Sequence, residues 1–237
     1  MPSCCLKRTK AMRHVLLFTL LACVACCRTA GSFSKEELDL IHNADSIMRV
    51  LTIEDPADLL VLRTPSSDLS AEALLSSDYD SLSRLMVATV THPSQDGVGI
   101  AGPQVGINRR IVAVQRFDKE PVWDEGRLDH PFEVYPNIRI VWASDSLAVG
   151  PEGCLSVPDR RADVLRSTSI IIEYTDLQQL ISSRLRQPPH ATQSKLLKDN
   201  KLNDTVPVIR DTVSGFTAVI FQHEIDHLDG VLYIDRL

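Results

Sequence analysis

Two histidines and a glutamate near the C-terminus have the spacing of a metal-binding helix. They stand in the run His223-Glu224-Ile225-Asp226-His227. Side chains four residues apart lie on one face of a helix, so both imidazoles can reach one metal ion while the glutamate lies beside it. The spacing predicts a catalytic metal site. The alternative is a pair of surface histidines on an amphipathic helix, because three fixed positions also recur by chance.

A site of this kind needs a third protein ligand, since catalytic zinc-like centres use three and leave a fourth position to water. Downstream, Asp229 and Asp235 are candidates, although both lie close to His227 in sequence. Upstream, Cys154 is the only cysteine beyond residue 27 and stands in the run EGCLS. A thiolate is a strong ligand beside two imidazoles, whereas a lone cysteine otherwise serves as a small buried apolar residue.

A glycine-rich segment, GVGIAGPQVG at residues 97–106, precedes an apolar run. Glycines allow the backbone to approach a ligand closely, but the segment lacks the lysine and the glycine spacing of phosphate-binding loops. A tight turn that enters a strand would explain the glycines. It would not explain the amide side chain of Gln104.

In this order, the runs GVGIAGPQVG, EGCLS and QHEIDHLDG resemble the three signature motifs of the peptide deformylases. The resemblance extends over roughly residues 97–237, and we expect the residues from about 47 onward to form the N-terminal part of the same domain. It implies one divalent metal ion with a water in the fourth position; the ligands implied are Cys154, His223 and His227. It also implies catalytic roles for Glu224 as general acid and base, and for the Gln104 side chain and the Leu155 N–H as oxyanion donors.

The same resemblance implies how a substrate would bind. Its backbone would pair with two extended segments, and its methionine-like side chain would enter a pocket against the apolar face of the last helix. The residues expected to contact it are Val98, Gly99, Ile100, Glu152, Gly153 and Val219. We further expect Asp226 to point away from the metal and to pair with Arg160, Arg161 or Arg166.

The activity implied is hydrolysis of the formyl group from N-formylmethionyl peptides or nascent chains, with release of formate. The resemblance implies Fe(II) as the native metal, although a ligand set of one cysteine and two histidines suits Zn(II) equally. Two other functions remain open. One is a metallopeptidase or other amidase with the same metal chemistry, and the other is a non-catalytic module that binds formyl peptides.

Charge and cysteine content exclude some classes of protein. The formal charge of the 237-residue chain is −6, and the residues after position 22 carry 21 basic against 31 acidic side chains. This balance disfavours nucleic acid as a partner. Five of the six cysteines precede residue 28, so a disulfide framework cannot hold the rest of the chain together.

The first residues have the composition of an export signal. Four basic residues lie by position 13, and an uncharged run of 13 residues follows from Val15 to Cys27. Residues 20–23 (LLAC) resemble a lipobox, which predicts an exported protein anchored to a membrane through a lipidated Cys23. A cytoplasmic protein with a start codon assigned too early and an organellar protein are the alternatives.

Short apolar runs and one strong helical pattern predict an α+β fold, with antiparallel or mixed sheets around a central helix that carries the two histidines. Helices are predicted after Ser34, over residues 80–90 and from about Ser214 to Gly230, and strands over residues 110–115, 132–135, 138–142 and 169–174. We expect a leader at residues 1–22, a linker or N-terminal extension at 23–46 and a catalytic domain at 47–237. A polar insertion at about 182–207 would interrupt that domain.

Overall fold

Over the residues that the computed structural model describes, 31–95, 97–124, 127–186 and 206–237, the chain forms six α-helices and ten β-strands. The helices are α1 (Lys35–His42), α2 (Pro56–Leu62), α3 (Ala71–Leu74), α4 (Ser77–Thr91), α5 (Leu177–Leu185) and α6 (Gly215–Leu228). The strands are β1 (Gly99–Ala101), β2 (Ile111–Gln115), β3 (Val122–Asp124), β4 (Arg127–Asp129), β5 (Phe132–Pro136), β6 (Arg139–Ala143), β7 (Leu147–Cys154), β8 (Val157–Ser167), β9 (Ser169–Thr175) and β10 (Val208–Ser214). Two short 3₁₀ helices cover Gly102–Val105 and Tyr233–Arg236.

Side-chain caps set the starts of the first helices. Ser34 and Glu37 form the predicted capping box: the Ser34 hydroxyl accepts from the Glu37 N–H at 3.1 Å, and the Glu37 carboxylate accepts from the Ser34 N–H at 2.6 Å. Helix α4 begins three residues before the predicted start, because the Ser76 hydroxyl accepts from the Tyr79 N–H.

All of the described strand ladders are antiparallel, in two three-stranded sheets with the orders β1-β2-β5 and β10-β9-β6 and two hairpins, β3-β4 and β7-β8. The four predicted strands correspond to β2, β5, β6 and β9. The long hairpin of β7 and β8 did not stand out in the sequence, because it contains Gly150, Pro151 and Gly153 and a charged run at 159–161.

Helix α6 lies between the two three-stranded sheets. One apolar cluster joins its side chains to those of both sheets: Ala101, Val112, Val114, Ile170, Ile172, Val213, Ala218, Phe221, Ile225 and Leu228. A second cluster packs α1, α3 and α4 against β1 and β2. The α+β fold around a central helix is therefore confirmed, and it surrounds the helix that carries both histidines.

Two of the expected boundaries fall within the described residues. Residues 31–46 lie in the same structural unit as the described residues from 47 onward, and Phe33 and Ile41 are buried in the cluster with α4. The division into linker or extension and catalytic domain stays a prediction. The expected polar insertion begins inside α5, which ends at Leu185 and buries Leu180. The leader, residues 23–30 with Cys23, and positions 187–205 of the insertion lie outside the described residues. No helix among those described has the length and apolar composition needed to cross a membrane.

Candidate metal centre and active site

Helix α6 carries its two histidines inside the protein. Every residue from Ile220 to Leu228 is buried, and the rings of His223 and His227 lie 5.1 Å apart between centroids. The interpretation of these residues as surface histidines is therefore wrong. The helix ends where Gly230 adopts a φ of +73°, at a point where a Cβ would lie 2.5 Å from a backbone oxygen of Arg63.

Cys154, at the end of β7, places its side chain beside the two histidine rings. The pairing of β7 with β8 shifts register between Gly153 and Cys154, and such a bulge re-aims a side chain. The Cys154 Sγ lies 3.1 Å from His227 Nε2, and one ligand atom from each of Cys154, His223 and His227 falls within 4.8 Å of the others. The structure thus brings together the three residues that the sequence singled out.

The alternative ligands have other partners. Asp229 accepts a hydrogen bond from Arg110 at 2.6 Å, and Asp235 forms an ion pair with Arg63. Neither belongs to the described group of side chains that could hold a metal ion. Cys154 is thus the third donor that the fold supplies.

The donor set fits a single divalent metal ion. One thiolate and two imidazoles are the ligands of borderline metals such as Fe(II) and Zn(II), and three protein donors leave a coordination position open. Burial lowers the pKa of His227 well below its usual range, which favours the neutral ring that a metal needs. Burial also opposes protonation of His223, but its hydrogen bonds with Cys154 and Glu152 outweigh that effect and raise its pKa to about 10. Metal binding would therefore displace a proton from this ring.

Glu152 fixes the orientation of the His223 ring. The His223 Nδ1–H donates to Glu152 Oε2 at 2.8 Å, which leaves Nε2 directed toward Cys154. Burial alone would raise the pKa of Glu152, but hydrogen bonds from Arg166 and His223 lower it to about 2. Glu152 therefore carries a full negative charge beside the histidine. The sequence placed it only among the substrate-contacting residues.

Asp226 pairs with Arg166, one of the three arginines expected, at 2.6 Å. It also pairs with Arg236, which donates twice at 2.5 Å. Sequence reasoning missed Arg236, and no spacing signal identifies it. The contact exists only because the chain turns back after α6 into the 3₁₀ helix at Tyr233–Arg236.

Glu224 lies beside the cluster with one carboxylate oxygen unengaged. It is 4% exposed, and its Oε2 is a buried oxygen that has no hydrogen-bond partner among the described residues. Burial raises the pKa of Glu224 to about 7, so that the carboxyl group is partly ionised and partly protonated at neutral pH. A carboxyl group in this state can both accept and deliver a proton.

Strand β1 passes directly over Glu224. A Cβ built on Gly99 would lie 2.5 Å from Glu224 Oε1 and 2.8 Å from the Ile220 side chain. A larger residue at this position would have to displace the Glu224 carboxylate and the Ile220 side chain. The sequence indicated a close approach of this backbone to a ligand, whereas the structure shows its close approach to Glu224.

The side chain of Gln104 points at the cysteine. Its Oε1 accepts from the Ala101 N–H at 2.8 Å, and its Nε2 lies 3.6 Å from Cys154 Sγ and 3.3 Å from Ser156 Oγ. The amide is 1% exposed, so these bonds fix its orientation. Leu155 follows Cys154 directly and is half-buried.

The remaining predicted residues lie on β1, β7 and α6 or next to them, and their contacts with a substrate stay a prediction. Ile100 is buried within β1, Val98 and Val219 are half-buried, and Gly153 is exposed on β7. The Val98 carbonyl accepts from the Gln115 N–H at 2.9 Å, so it is already engaged with β2. Strand β1 is an edge strand of its sheet among the described strands, which leaves its other side open.

Comparisons with known proteins agree on one family. A family model described as polypeptide deformylase matches residues 47–183 and 202–237. The peptide deformylase of Leptospira biflexa is 30% identical over 192 residues, which cover 81% of this chain and 88% of that protein. Peptide deformylase 2 of Vibrio cholerae is 33% identical over 192 residues, with coverages of 81% and 87%.

Solved structures agree as well. A class I type b peptide deformylase from Acinetobacter baumannii with bound Met-Ala-Ser superposes with a TM-score of 0.58 at 27% identity, and covers 81% of this chain and 98% of its own. The enzyme from Thermotoga maritima superposes with a TM-score of 0.58 at 25% identity, with coverages of 81% and 99%. The chain therefore belongs to the polypeptide deformylase family of hydrolases.

Proposed function

We propose that this chain removes the formyl group from N-formylmethionyl peptides and releases formate, with one metal ion held by Cys154, His223 and His227. One observation carries the proposal: a converged cysteine and two histidines lie next to a buried glutamate with an unengaged carboxylate oxygen. The substrate class is supported by the Acinetobacter baumannii relative, whose structure holds Met-Ala-Ser.

The metal is Fe(II) in this proposal, with Zn(II) as the alternative that the same ligands accept. When bound, it supplies Lewis-acid chemistry, which lowers the pKa of a water molecule and polarises a carbonyl group. His223 and His227 bind it as neutral rings and Cys154 as a thiolate. Their donors come from a buried helix and a strand end, so little conformational freedom is lost on binding.

Glu224 moves the proton. Its unengaged carboxylate oxygen takes a proton from the attacking water and passes it to the amine nitrogen of the leaving peptide. A pKa near 7 suits both directions of this transfer. The absence of a side chain at Gly99 leaves room for the carboxylate beside β1.

In this proposal two donors stabilise the developing oxyanion, the Gln104 side chain and the Leu155 N–H. Gln104 Nε2 is the first, because the bond between its Oε1 and the Ala101 N–H directs the amide toward Cys154. The Leu155 N–H is the second, since it belongs to the residue that follows the cysteine. Preorganised donors of this kind typically contribute about 100- to 1,000-fold each to the rate.

The substrate backbone pairs with the open edge of β1. Since the Val98 carbonyl bonds to β2 and the bonding sides of an antiparallel strand alternate, the N–H and C=O of Gly99 lie on the open edge. In this proposal Gly153, which is exposed on β7, makes a second contact with the substrate backbone. The methionine side chain packs against Val219, one turn before His223 on α6.

The proposed activity is tested by measuring the release of formate. The full chain, purified anaerobically with Fe(II) and in parallel with Zn(II), is incubated with formyl-Met-Ala-Ser beside a Glu224→Ala variant. We expect formate from the wild-type chain and a loss of at least about 100-fold in the variant. Cleavage of unformylated peptides would instead favour a metallopeptidase or other amidase. Tight peptide binding without any formate would favour a formyl-peptide binder.

We also propose that the chain is exported and anchored through a lipid on Cys23. The support is the sequence alone: basic residues, an uncharged run and the LLAC tetrapeptide. Cells that express the full chain should carry it in the membrane fraction, and a Cys23→Ser variant should lose that association while Cys26→Ser keeps it. Soluble wild-type chain with its first residues intact would refute the anchor and favour a cytoplasmic or organellar protein.

A further inference from the structure

A chain of ion pairs connects the 3₁₀ helix at the end of the described chain with a metal ligand. Arg236 donates to both carboxylate oxygens of Asp226 at 2.5 Å, and Arg166 donates to the same carboxylate at 2.6 Å. Arg166 also holds Glu152 through two bonds, of 2.7 and 2.9 Å, and Glu152 accepts from His223 Nδ1 at 2.8 Å. We call Glu152, Arg166, Asp226 and Arg236 the ion network.

The charges of the ion network balance only if Arg236 is counted. Glu152 and Asp226 are two carboxylates whose side chains are 5% and 12% exposed, and Arg166 is a single guanidinium that is 4% exposed. When His223 binds a metal as a neutral ring, Arg166 is the one buried guanidinium that serves these two carboxylates, and a buried charge without a partner is strongly destabilising. Arg236, whose side chain is 43% exposed, supplies the second positive charge from the surface.

This charge balance determines how Arg166 divides its hydrogen bonds between Glu152 and Asp226. With Arg236 on Asp226, Arg166 keeps two of its bonds on Glu152. Without Arg236, Asp226 would attract Arg166 more strongly, and the bonds that hold Glu152 against His223 would weaken. Partners that orient a ligating histidine typically affect metal affinity by about 10- to 100-fold.

We propose that Arg236 is a positioning residue for the metal ligand His223, acting through Asp226, Arg166 and Glu152. The inference rests on the proposed function in one respect, namely that His223 binds the metal. It concerns retention of the metal and is independent of whether formyl peptides are the substrate.

The test compares two arginines that hold the same 3₁₀ helix. Arg63 pairs with Asp235, the neighbour of Arg236, and has no hydrogen bond to the ion network. The full chain is loaded with Zn(II), and the rate of zinc release to an excess of chelator is measured for wild type, Arg236→Met, Arg236→Lys and Arg63→Met. Arg236→Met should release zinc about tenfold faster than wild type, while Arg236→Lys, which keeps the charge, and Arg63→Met should stay close to wild type.

A double variant adds a second criterion. If Arg236 acts through Asp226, then adding Arg236→Met to Asp226→Asn should cause no further acceleration. Equal acceleration by Arg63→Met and Arg236→Met would show that docking of the 3₁₀ helix matters and would overturn the proposal. So would an unchanged rate in Arg236→Met, or a Lys variant as fast as the Met variant.

Formate release by wild type is measured in the same preparation. Faster zinc release in Arg236→Met supports the positioning role even if wild type releases no formate, in which case only the proposed function fails. A wild-type chain that binds no zinc at all would remove the ligand role of His223 and overturn the inference with it.

Discussion

Replacing Gly99 with alanine should displace the carboxylate of Glu224. The new Cβ would lie 2.5 Å from Glu224 Oε1, whereas ordinary contacts of this kind begin at 3.4 Å. The two atoms must therefore separate by about 0.9 Å. Glu224 is 4% exposed, and Ile220, only 2.8 Å from the same Cβ, must yield as well, so the carboxylate cannot move aside without cost.

The displaced group is the Glu224 carboxylate, which transfers the proton in the proposed reaction. Misplacing a catalytic group by about 1 Å can cost about 100-fold in rate, so kcat for formyl-Met-Ala-Ser should fall by about that factor. Metal content should stay at the wild-type level, because the three atoms nearest to the new methyl group belong to Glu224 and Ile220 and not to a metal ligand. Formate release under saturating substrate, with metal content determined on the same sample, separates the two effects.

Gly150→Ala is the matched control. It makes the same change in another strand near the site, where a Cβ would meet nothing within 4 Å, and it should keep wild-type kcat. If Gly99→Ala keeps kcat within threefold of Gly150→Ala, the close contact does not set the position of Glu224 and our account of the base is wrong.

Three further predictions concern the support of the site and of the fold. Glu152→Gln should weaken zinc binding by about 10- to 100-fold, because His223 loses its charged partner; a competitive zinc titration with unchanged affinity would contradict this. Leu82→Ala should lower the free energy of unfolding by about 3 kcal/mol, since Leu82 is fully buried in the cluster around α4, and urea unfolding measures it. Asp58→Asn should destabilise the chain at neutral pH. The hydrogen bond with Arg49 holds the pKa of Asp58 below its ordinary value of 3.8, so its contribution is complete above pH 3.8 and is lost as pH falls through the folded-state pKa. The stability gap between wild type and Asp58→Asn should therefore narrow in acid, and a gap independent of pH would refute the assignment.

The sequence by itself determined several local elements and the candidate ligands. A capping box at Ser34 and the helical pattern before His223 are short-range signals, because caps and helix faces depend on residues three or four apart. The two histidines four apart and Cys154, the only cysteine beyond residue 27, were candidate ligands from their residue types and spacing, and the resemblance to the deformylase motifs selected Cys154 over Asp229 and Asp235. Strands β7 and β8 escaped detection because glycine, proline and charged residues mask their pattern.

Tertiary structure alone decided what surrounds those residues. Arg236 reaches Asp226 from the 3₁₀ helix after α6, and Arg166 reaches it from β8. Strand β1 lies so close to Glu224 that a Cβ at Gly99 would have to displace its carboxylate. These contacts join residues between 10 and 125 positions apart. No local pattern encodes them, because the packing of α6 between two sheets brings these segments together, and the burial that results sets the pKa of Glu224 and the charge balance of the ion network.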